Sequence, residues 1–309
     1  MAPIIPVPPD ADLQRARRAA RLATVLLLCA TMGACAWLED KQRQLALRPT
    51  PTRPADQVAT RPGDEHWLLP VGTANGAEQR IALWWLPQPD PQAPALLYLH
   101  GTFRNLYGNQ PKIAALRDAG FAVLAVDYRG WGDSTPLTPS EDTISADALL
   151  AWTEMRRRQP VAGRRVIYGH SMGGAVAVRL ASGLRHGTDY GALVLESTFT
   201  RLPDVAAEAG FWGRVAASLT TLEFDSLSRI GQIDAPIFML HGDADDTVPV
   251  QLGRRLRDAA PAGVRWIEFP GGSHSRLHSN DPQLYRDTMR QVIATLTPQT
   301  TTPPTATTP

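Results

Sequence analysis

The chain has 309 residues, 43% of them hydrophobic and 20% charged, which is enough apolar material for one sizeable core. A formal net charge of +1, with acids and bases interspersed through the body, excludes the electrostatic footprint of a nucleic-acid binder. The two cysteines, Cys29 and Cys35, both lie near the N-terminus and exclude a disulfide framework for the rest of the chain.

The N-terminus is a separate object. Arg15, Arg17, Arg18 and Arg21 precede an apolar run from Leu22 to about Met32, closed by Gly33, Ala34 and Cys35. That is the charged, apolar, small-residue layout of an export signal. The run is short against the about 20 residues of a bilayer span, which favours cleavage over a permanent anchor. M-G-A-C at Met32 to Cys35 resembles a bacterial lipobox, with Met32 standing where Leu is usual. By that resemblance residues 1–34 are a signal peptide and Cys35 carries a lipid. The expected location is the bacterial cell envelope, lipid-anchored to a membrane and facing the periplasm; an inner-membrane signal anchor is the alternative. Losing residues 1–34 removes four Arg and two Asp, so +1 becomes −1. Pro49, Pro51, Pro54 and Pro62 make Leu47 to Pro62 read as extended chain, and residues 35–62 are expected to form a tether. Residues 63–297 are the expected catalytic body, and the Thr/Pro-rich residues 298–309 an expected disordered tail.

In the body, His66 to Val71 and Arg80 to Leu86 are strand-like runs split by a turn-rich G-T-A-N-G, which predicts an opening hairpin. Ala95 to His100 and Phe121 to Asp127 are continuous apolar runs suited to strands buried on both faces, with a helix predicted between them at Pro111 to Ala119. A helix over Ser145 to Arg158 leads to a strand at Arg165 to His170. Further strands follow at Ala192 to Ser197, Pro236 to His241 and Val264 to Phe269, with helices at Val250 to Ala259 and Asp281 to Leu296. About eight strands alternating with helices predict an α/β fold, a mostly parallel sheet covered on both faces. Functional groups in such sheets collect at the carboxyl ends of the strands.

The strand over Val166 to Tyr168 runs into G-H-S-M-G-G, where Gly169, Ser171 and Gly173 fit G-x-S-x-G ahead of a helical A-V-A-V-R-L-A-S-G-L. Strand, tight Gly-flanked turn and helix lift one serine hydroxyl clear of the sheet, which makes Ser171 the candidate nucleophile. The strand ending at Leu240 leads into H-G-D-A-D-D-T-V-P, with Asp243, Asp245 and Asp246 as acids. The strand ending at Phe269 leads into P-G-G-S-H-S, with His274 and, four residues on, His278 as bases. A serine hydroxyl is a poor nucleophile until an imidazole accepts its proton, and a carboxylate fixes that imidazole's tautomer. Ser, then Asp, then His is the chain order of α/β-hydrolase triads. No His/Cys/Asp cluster has metal spacing and no Gly-rich loop is followed by a nucleotide-site Lys, so neither metal nor cofactor is expected.

Residues from about Pro62 to Leu296 resemble the α/β-hydrolase superfamily, in the group that includes BEM46-like and serine aminopeptidase-like hydrolases. The matching pieces are H-G-T at His100 to Thr102, D-Y-R-G-W-G-D-S at Asp127 to Ser134, G-H-S-M-G-G, L-E-S-T-F-T at Leu195 to Thr200 and F-D-S-L-S-R-I at Phe224 to Ile230. H-G-D-A-D-D-T-V-P at His241 to Pro249 and G-G-S-H at Gly271 to His274 complete them. The resemblance implies Asp245 as the acid and His274 as the base, although Ser275 follows where relatives often carry Asn. It also implies an oxyanion hole from the backbone N–H groups of Met172 and Thr102, with Phe103 as the competing donor. Arg129, Asp133 and Glu196 are expected to fasten loops, and His100 and His170 to be packed and hydrogen-bonded.

Only 38 residues, Thr198 to Ala235, separate two strands where a cap would sit, so the cap is expected to be small or absent. Phe199, Leu202, Phe211, Trp212 and Phe224 are candidate pocket walls. The expected activity is a carboxylesterase-type serine hydrolase that cleaves ester or thioester bonds of a small acyl substrate through an acyl-enzyme. Aminopeptidase or amidase activity is the competing reading, and a catalytically silent envelope scaffold the reading of another class.

Overall fold

A computed structural model describes residue 24 and residues 31–52, 60–74 and 76–296. Most of the expected signal peptide, residues 53–59 of the expected tether and the expected C-terminal tail lie outside the described residues.

The strands are β1 (Glu65–Ala74), β2 (Ala77–Leu86), β3 (Ala95–Leu99), β4 (Ala122–Asp127), β5 (Arg165–His170), β6 (Ala192–Glu196), β7 (Ile237–Gly242) and β8 (Arg265–Phe269). They form one eight-stranded sheet in the order β1-β2-β4-β3-β5-β6-β7-β8. The hairpin β1–β2 attaches antiparallel to β4, and all pairings from β4 to β8 are parallel. Every residue of β3 to β7 is buried, as their unbroken apolar runs require of strands covered on both faces.

The helices in chain order are α1 (residues 31–47), α2 (Leu106–Asp118), α3 (Glu141–Arg158), α4 (Met172–Ala181), α5 (Leu202–Glu208), α6 (Gly210–Leu219), α7 (Leu227–Ile230), α8 (Val250–Ala259), α9 (Leu277–Asn280) and α10 (Pro282–Thr295). Alternate strand residues feed two cores. Leu97, Leu99 and Leu124 pack with Trp152 of α3, Val176 of α4 and Leu252 of α8 on one face. Leu96, Tyr98 and Val123 pack with Leu116 of α2 and Met289 of α10 on the other.

Beyond shifts of one to three residues at other element ends, three differences from the sequence expectation have a physical cause. α2 begins five residues before Pro111, at an N-cap in which Asn105 accepts the Gly108 N–H. Pro111 has no N–H for the Tyr107 carbonyl, and the side-chain amide of Gln110 donates to that carbonyl instead at 3.2 Å. α3 starts at Glu141 because Ser140 and Thr143 close a reciprocal capping box.

The third difference is larger. Residues 35–47 of the expected tether are helical, and the chain beyond them docks on the body. Leu47 is fully buried in the core. The Thr50 carbonyl accepts the Gly132 N–H at 2.9 Å, and the Asn105 amide donates to the Thr52 carbonyl at 2.6 Å. The segment from Thr31 to Leu47 lacks proline and is rich in helix formers, and Pro49 stops it. Among the described residues no helix is long and apolar enough to cross a membrane.

Candidate active site

Ser171 stands between β5 and α4 with φ 56° and ψ −123°, a left-handed conformation that L residues rarely adopt. The strain persists because the turn is clamped. The Ser171 N–H donates to the Glu196 carbonyl at 2.9 Å, and its own carbonyl accepts from Gly174 N–H and Thr198 Oγ1. A Cβ at Gly169 would overlap the Gly173 carbonyl, and one at Gly173 would overlap the Leu99 carbonyl. Those two glycines therefore serve close approach of backbone to backbone.

The turn presents Ser171 Oγ to His274 Nε2 at 3.0 Å, and His274 Nδ1 lies 2.8 Å from Asp245 Oδ2. Asp245 follows β7, and its other oxygen accepts the N–H groups of Val248 at 2.8 Å and Thr247 at 3.0 Å. Burial works against the charged carboxylate. Hydrogen bonds from His241 and His274, the His274 charge and the Val248 N–H outweigh it and hold Asp245 well below the ordinary carboxylate range. An ionised Asp245 accepting from Nδ1–H leaves Nε2 free to accept the serine proton.

The His274 loop follows β8 and is pinned from three sides. Gly271 N–H donates to Asp243 Oδ1 at 2.6 Å, Ser273 N–H to Asn280 Oδ1 at 3.1 Å, and the His170 ring Nε2 to the His274 carbonyl at 3.0 Å. Burial, then the charges of Lys112 and His274, push the His170 imidazole well below its ordinary value, which keeps it neutral for that contact. The structure brings Ser171, Asp245 and His274 together and leaves the rival residues apart. Asp243 is spent on Gly271. Asp246 is exposed, with Thr247 Oγ1 at 3.3 Å. His278 faces a separate cavity beside Arg104, Lys112 and Arg276.

Thr102, Phe103 and Met172 line the same pocket as Ser171. Met172 opens α4, so its N–H has no intrahelical acceptor. Among the described residues neither it nor the Thr102 N–H donates to any protein acceptor. The loop is fixed from behind, where the Trp131 indole donates to the Thr102 carbonyl at 3.2 Å. His100 packs against the Tyr128 ring and lies 3.3 Å from Asp127, whose carboxylate also takes the Leu106 N–H at 2.9 Å. Arg129 pairs with Asp147 at 2.9 Å, and Asp133 accepts from the Tyr107 hydroxyl. Glu196 lies fully buried against Lys112 and Tyr168. None of these last groups reaches the serine.

The pocket over Ser171 holds ≈ 530 Å³. Phe199 forms its inner wall, while Leu202, Val205 and Ala206 of α5 and Leu219 of α6 form the side beneath a two-helix cap. The rest of the lining includes Gln42, Leu45, Ala46 and Arg48, at and just beyond the C-terminal end of α1. Sequence reasoning missed these four because a proline count marked the segment as tether. The uninterrupted helix formers before Pro49 were the available signal. Of the five aromatic and apolar residues expected as walls, Phe199 and Leu202 line the pocket. Phe224 is buried in the core, and Phe211 and Trp212 point to solvent. Among the described residues no Asp or Glu lines the pocket, and Arg48 is the one charged group there, its guanidinium 4.8 Å from the Phe103 ring. Among the described residues no group of His, Cys, Asp and Glu could hold a metal ion.

Comparison with known proteins agrees with this architecture. Residues 90–229 match the family model "Serine aminopeptidase, S33". Over 277 residues the chain is 33% identical to an uncharacterized protein of Mycobacterium tuberculosis, covering 88% of this chain and 92% of that one. It is 33% identical over 243 residues to the lysophosphatidylserine lipase ABHD12 of Danio rerio, 70% of this chain and 62% of the longer relative. An esterase of Pyrococcus furiosus shares the fold, with a TM-score of 0.61 at 19% identity over 79% of this chain and 98% of that one. A relative aligned along nearly its whole length and a sheet with this strand order carry the same conclusion: this chain belongs to the α/β-hydrolase superfamily.

Proposed function

We propose that the protein is a serine hydrolase that cleaves carboxylic esters of apolar acyl groups, with Ser171 as nucleophile, His274 as base and Asp245 as the acid that orients it. The observation that carries this reading is the unbroken chain of contacts from Ser171 Oγ, which lines an apolar pocket, through His274 to an ionised Asp245. In the first step Oγ bonds to the acyl carbon while its proton passes to His274 Nε2. The tetrahedral oxyanion is met by the N–H groups of Met172 and Thr102. The carbon–oxygen bond to the alcohol then breaks, and the alcohol leaves with the proton from His274. Water repeats the sequence on the acyl-enzyme, losing its proton to His274, and releases the carboxylic acid. A thioester would follow the same steps with a thiol as leaving group.

The lining favours esters over aminopeptidase substrates. A peptide with a free α-ammonium needs a carboxylate in the pocket, and this pocket offers Arg48 instead. The name of the zebrafish relative, a lysophosphatidylserine lipase, points the same way, toward a single-chain acyl ester with an anionic head. The N-terminal reading completes the proposal: cleavage before Cys35, lipidation of its thiol and attachment to a membrane of the bacterial envelope. Cys35 is free and exposed.

The test is hydrolysis of p-nitrophenyl butyrate and of leucine p-nitroanilide, with fluorophosphonate labelling, by wild type and Ser171→Ala. Ester turnover and labelling in wild type, both abolished in the variant, are expected, with little turnover of the anilide. Ester turnover that survives in Ser171→Ala overturns the assignment, and preference for the anilide replaces it with the peptidase reading. Cys35→Ala should lose radiolabelled palmitate and leave the membrane fraction; continued attachment points to the signal anchor.

A further inference from the structure

The exposed large apolar side chains are not scattered. Met32, Trp37, Leu38 and Leu45 lie on α1, and Phe211, Trp212, Val215 and Leu219 on α6. Phe103 is exposed on the loop at the pocket's rim, and among the described residues only Leu68 and Leu149 lie elsewhere. Trp212 is 78% exposed and Phe211 63%, with their rings packed edge to face at 5.2 Å, although neither touches the pocket. Their exposure costs hydration free energy and contributes nothing to the fold, and a concentration of this kind marks an interaction surface.

The two helices flank one opening. Gln42 of α1 donates to the Leu219 carbonyl at the end of α6 at 3.4 Å, and Leu45 and Leu219 both line the pocket over Ser171. Along α1, Leu38, Gln42 and Leu45 fall at the i, i+4, i+7 spacing of a single stripe, and Phe211, Val215 and Leu219 repeat every fourth residue on α6. Arg214 is the only charged residue of α6. On α1 the acids are already engaged, Glu39 with Arg43 at 3.5 Å and Asp40 with the Gln44 amide at 2.8 Å.

What covers this face is indicated by the chain that leads into it. α1 continues directly from the apolar run Leu22 to Met32, itself preceded by four arginines. Cys35 lies on α1, and ten residues of helix separate it from Leu45, a rise of about 15 Å. Whether a lipid on Cys35 or the apolar run itself enters the bilayer, rigid helix and not slack linker joins that point to the pocket mouth. A membrane at the start of α1 therefore lies beside Trp37 and about 15 Å from the pocket mouth, and Phe211 and Trp212 stand exposed on the other helix that flanks that mouth. Tryptophan is the side chain best suited to the boundary between acyl chains and head groups.

We infer that the α1–α6 face docks on the lipid bilayer and opens the pocket toward it, so that the acyl substrate enters from the leaflet without crossing water. This rests on the proposed membrane attachment and ester hydrolysis. Arg48 at the rim would then meet the anionic head group while the apolar chain passes between Leu45 and Leu219.

The test uses the full chain in vesicles of phosphatidylethanolamine and phosphatidylglycerol. Two variants outside the pocket, Phe211→Ser/Trp212→Ser and Trp212→Phe, are compared with wild type. The double variant should lose about tenfold or more in hydrolysis of a long-chain acyl ester embedded in the vesicles, while turnover of soluble p-nitrophenyl butyrate stays within about twofold. In vesicles of acyl-brominated lipid, the tryptophan quenching seen in wild type should fall in Trp212→Phe, which keeps the apolar surface and the fold. Equal quenching in the two proteins, or unchanged vesicle turnover in the double variant, overturns the inference. A concentration-dependent dimer in wild type that the double variant loses, without any lipid quenching, assigns the face to a second copy and overturns it as well. Wild type inactive on the soluble ester sinks the proposed hydrolysis instead, and the quenching comparison still decides whether this face meets lipid.

Discussion

Asp245 holds both ends of its environment. One oxygen faces His274 Nδ1 at 2.8 Å and the other takes two backbone N–H groups, so the loop needs it as an acceptor and the imidazole needs it as an anion. Asn at this position keeps the volume and removes the charge, and its amide presents a donor where Nδ1–H also donates. The imidazole is then turned toward the wrong tautomer, and kcat/KM for p-nitrophenyl butyrate in Asp245→Asn should fall on the order of 10³- to 10⁴-fold. Asp243→Asn, which alters only the bond to Gly271, should stay within about threefold. Comparable losses in both variants would mean that the acid had been placed on the wrong aspartate. The residue positions were legible because each motif sits at a strand's carboxyl end, where the sheet gathers what the sequence scatters over 104 positions from Ser171 to His274. The supports were not legible. Nothing in the sequence marks Trp131 as the donor that fixes Thr102, or His170 as the donor that fixes the His274 loop, since both contacts are made to main-chain carbonyls by residues distant in sequence.

At the scale of elements, α1 is where the sequence reading and the structure part. Hydrophobic runs revealed β3 to β7 because buried parallel strands leave no polar alternation to misread. A helix that buries one stripe beside a neighbouring proline cluster gives a weaker signal, and which surface it covers depends on tertiary contacts. The consequence is measurable at Leu47, fully buried at the last turn of α1 among core side chains. Leu47→Ala should cost about 2 to 5 kcal/mol in chemical denaturation, as for any buried leucine. A tether would register nothing there. Ester turnover should weaken alongside stability, because the same stretch of chain carries Gln42, Leu45, Ala46 and Arg48 to the pocket. A midpoint unchanged by Leu47→Ala would detach α1 from the body and return residues 35–62 to a linker.

Across the whole molecule, the catalytic edge of the sheet stands beside a buried polar cluster, and the two are linked by charge. Lys112 from α2 pairs with Glu196 at the end of β6, Glu196 also accepts from Tyr168, and the hydroxyls of Tyr168 and Tyr285 lie 2.9 Å apart. Burial works against the Lys112 charge and the Glu196 carboxylate favours it, and the ammonium so paired lies close to two histidines. Burial, then the charges of Lys112, Arg104 and Arg276, lower His278 to about 4, and His170 is held well below its ordinary value by burial, Lys112 and His274. The unfolded chain titrates its histidines near about 6.5, so between that value and the folded ones the unfolded state binds more protons. Stability from these two neutral imidazoles is complete above about pH 6.5 and drains away as pH falls toward the folded values. Asp245 has the same sign in a lower window: its contribution is present above about pH 3.9 and is lost below it. Gln cannot take up the proton, so His278→Gln removes one share of the histidine effect and leaves that of His170. The urea midpoint should therefore fall less between about pH 7.5 and about pH 5 in His278→Gln than in wild type. Equal falls in the two proteins would show that His278 takes up its proton in the folded state as readily as in the unfolded chain, and that the Lys112 cluster does not reach it.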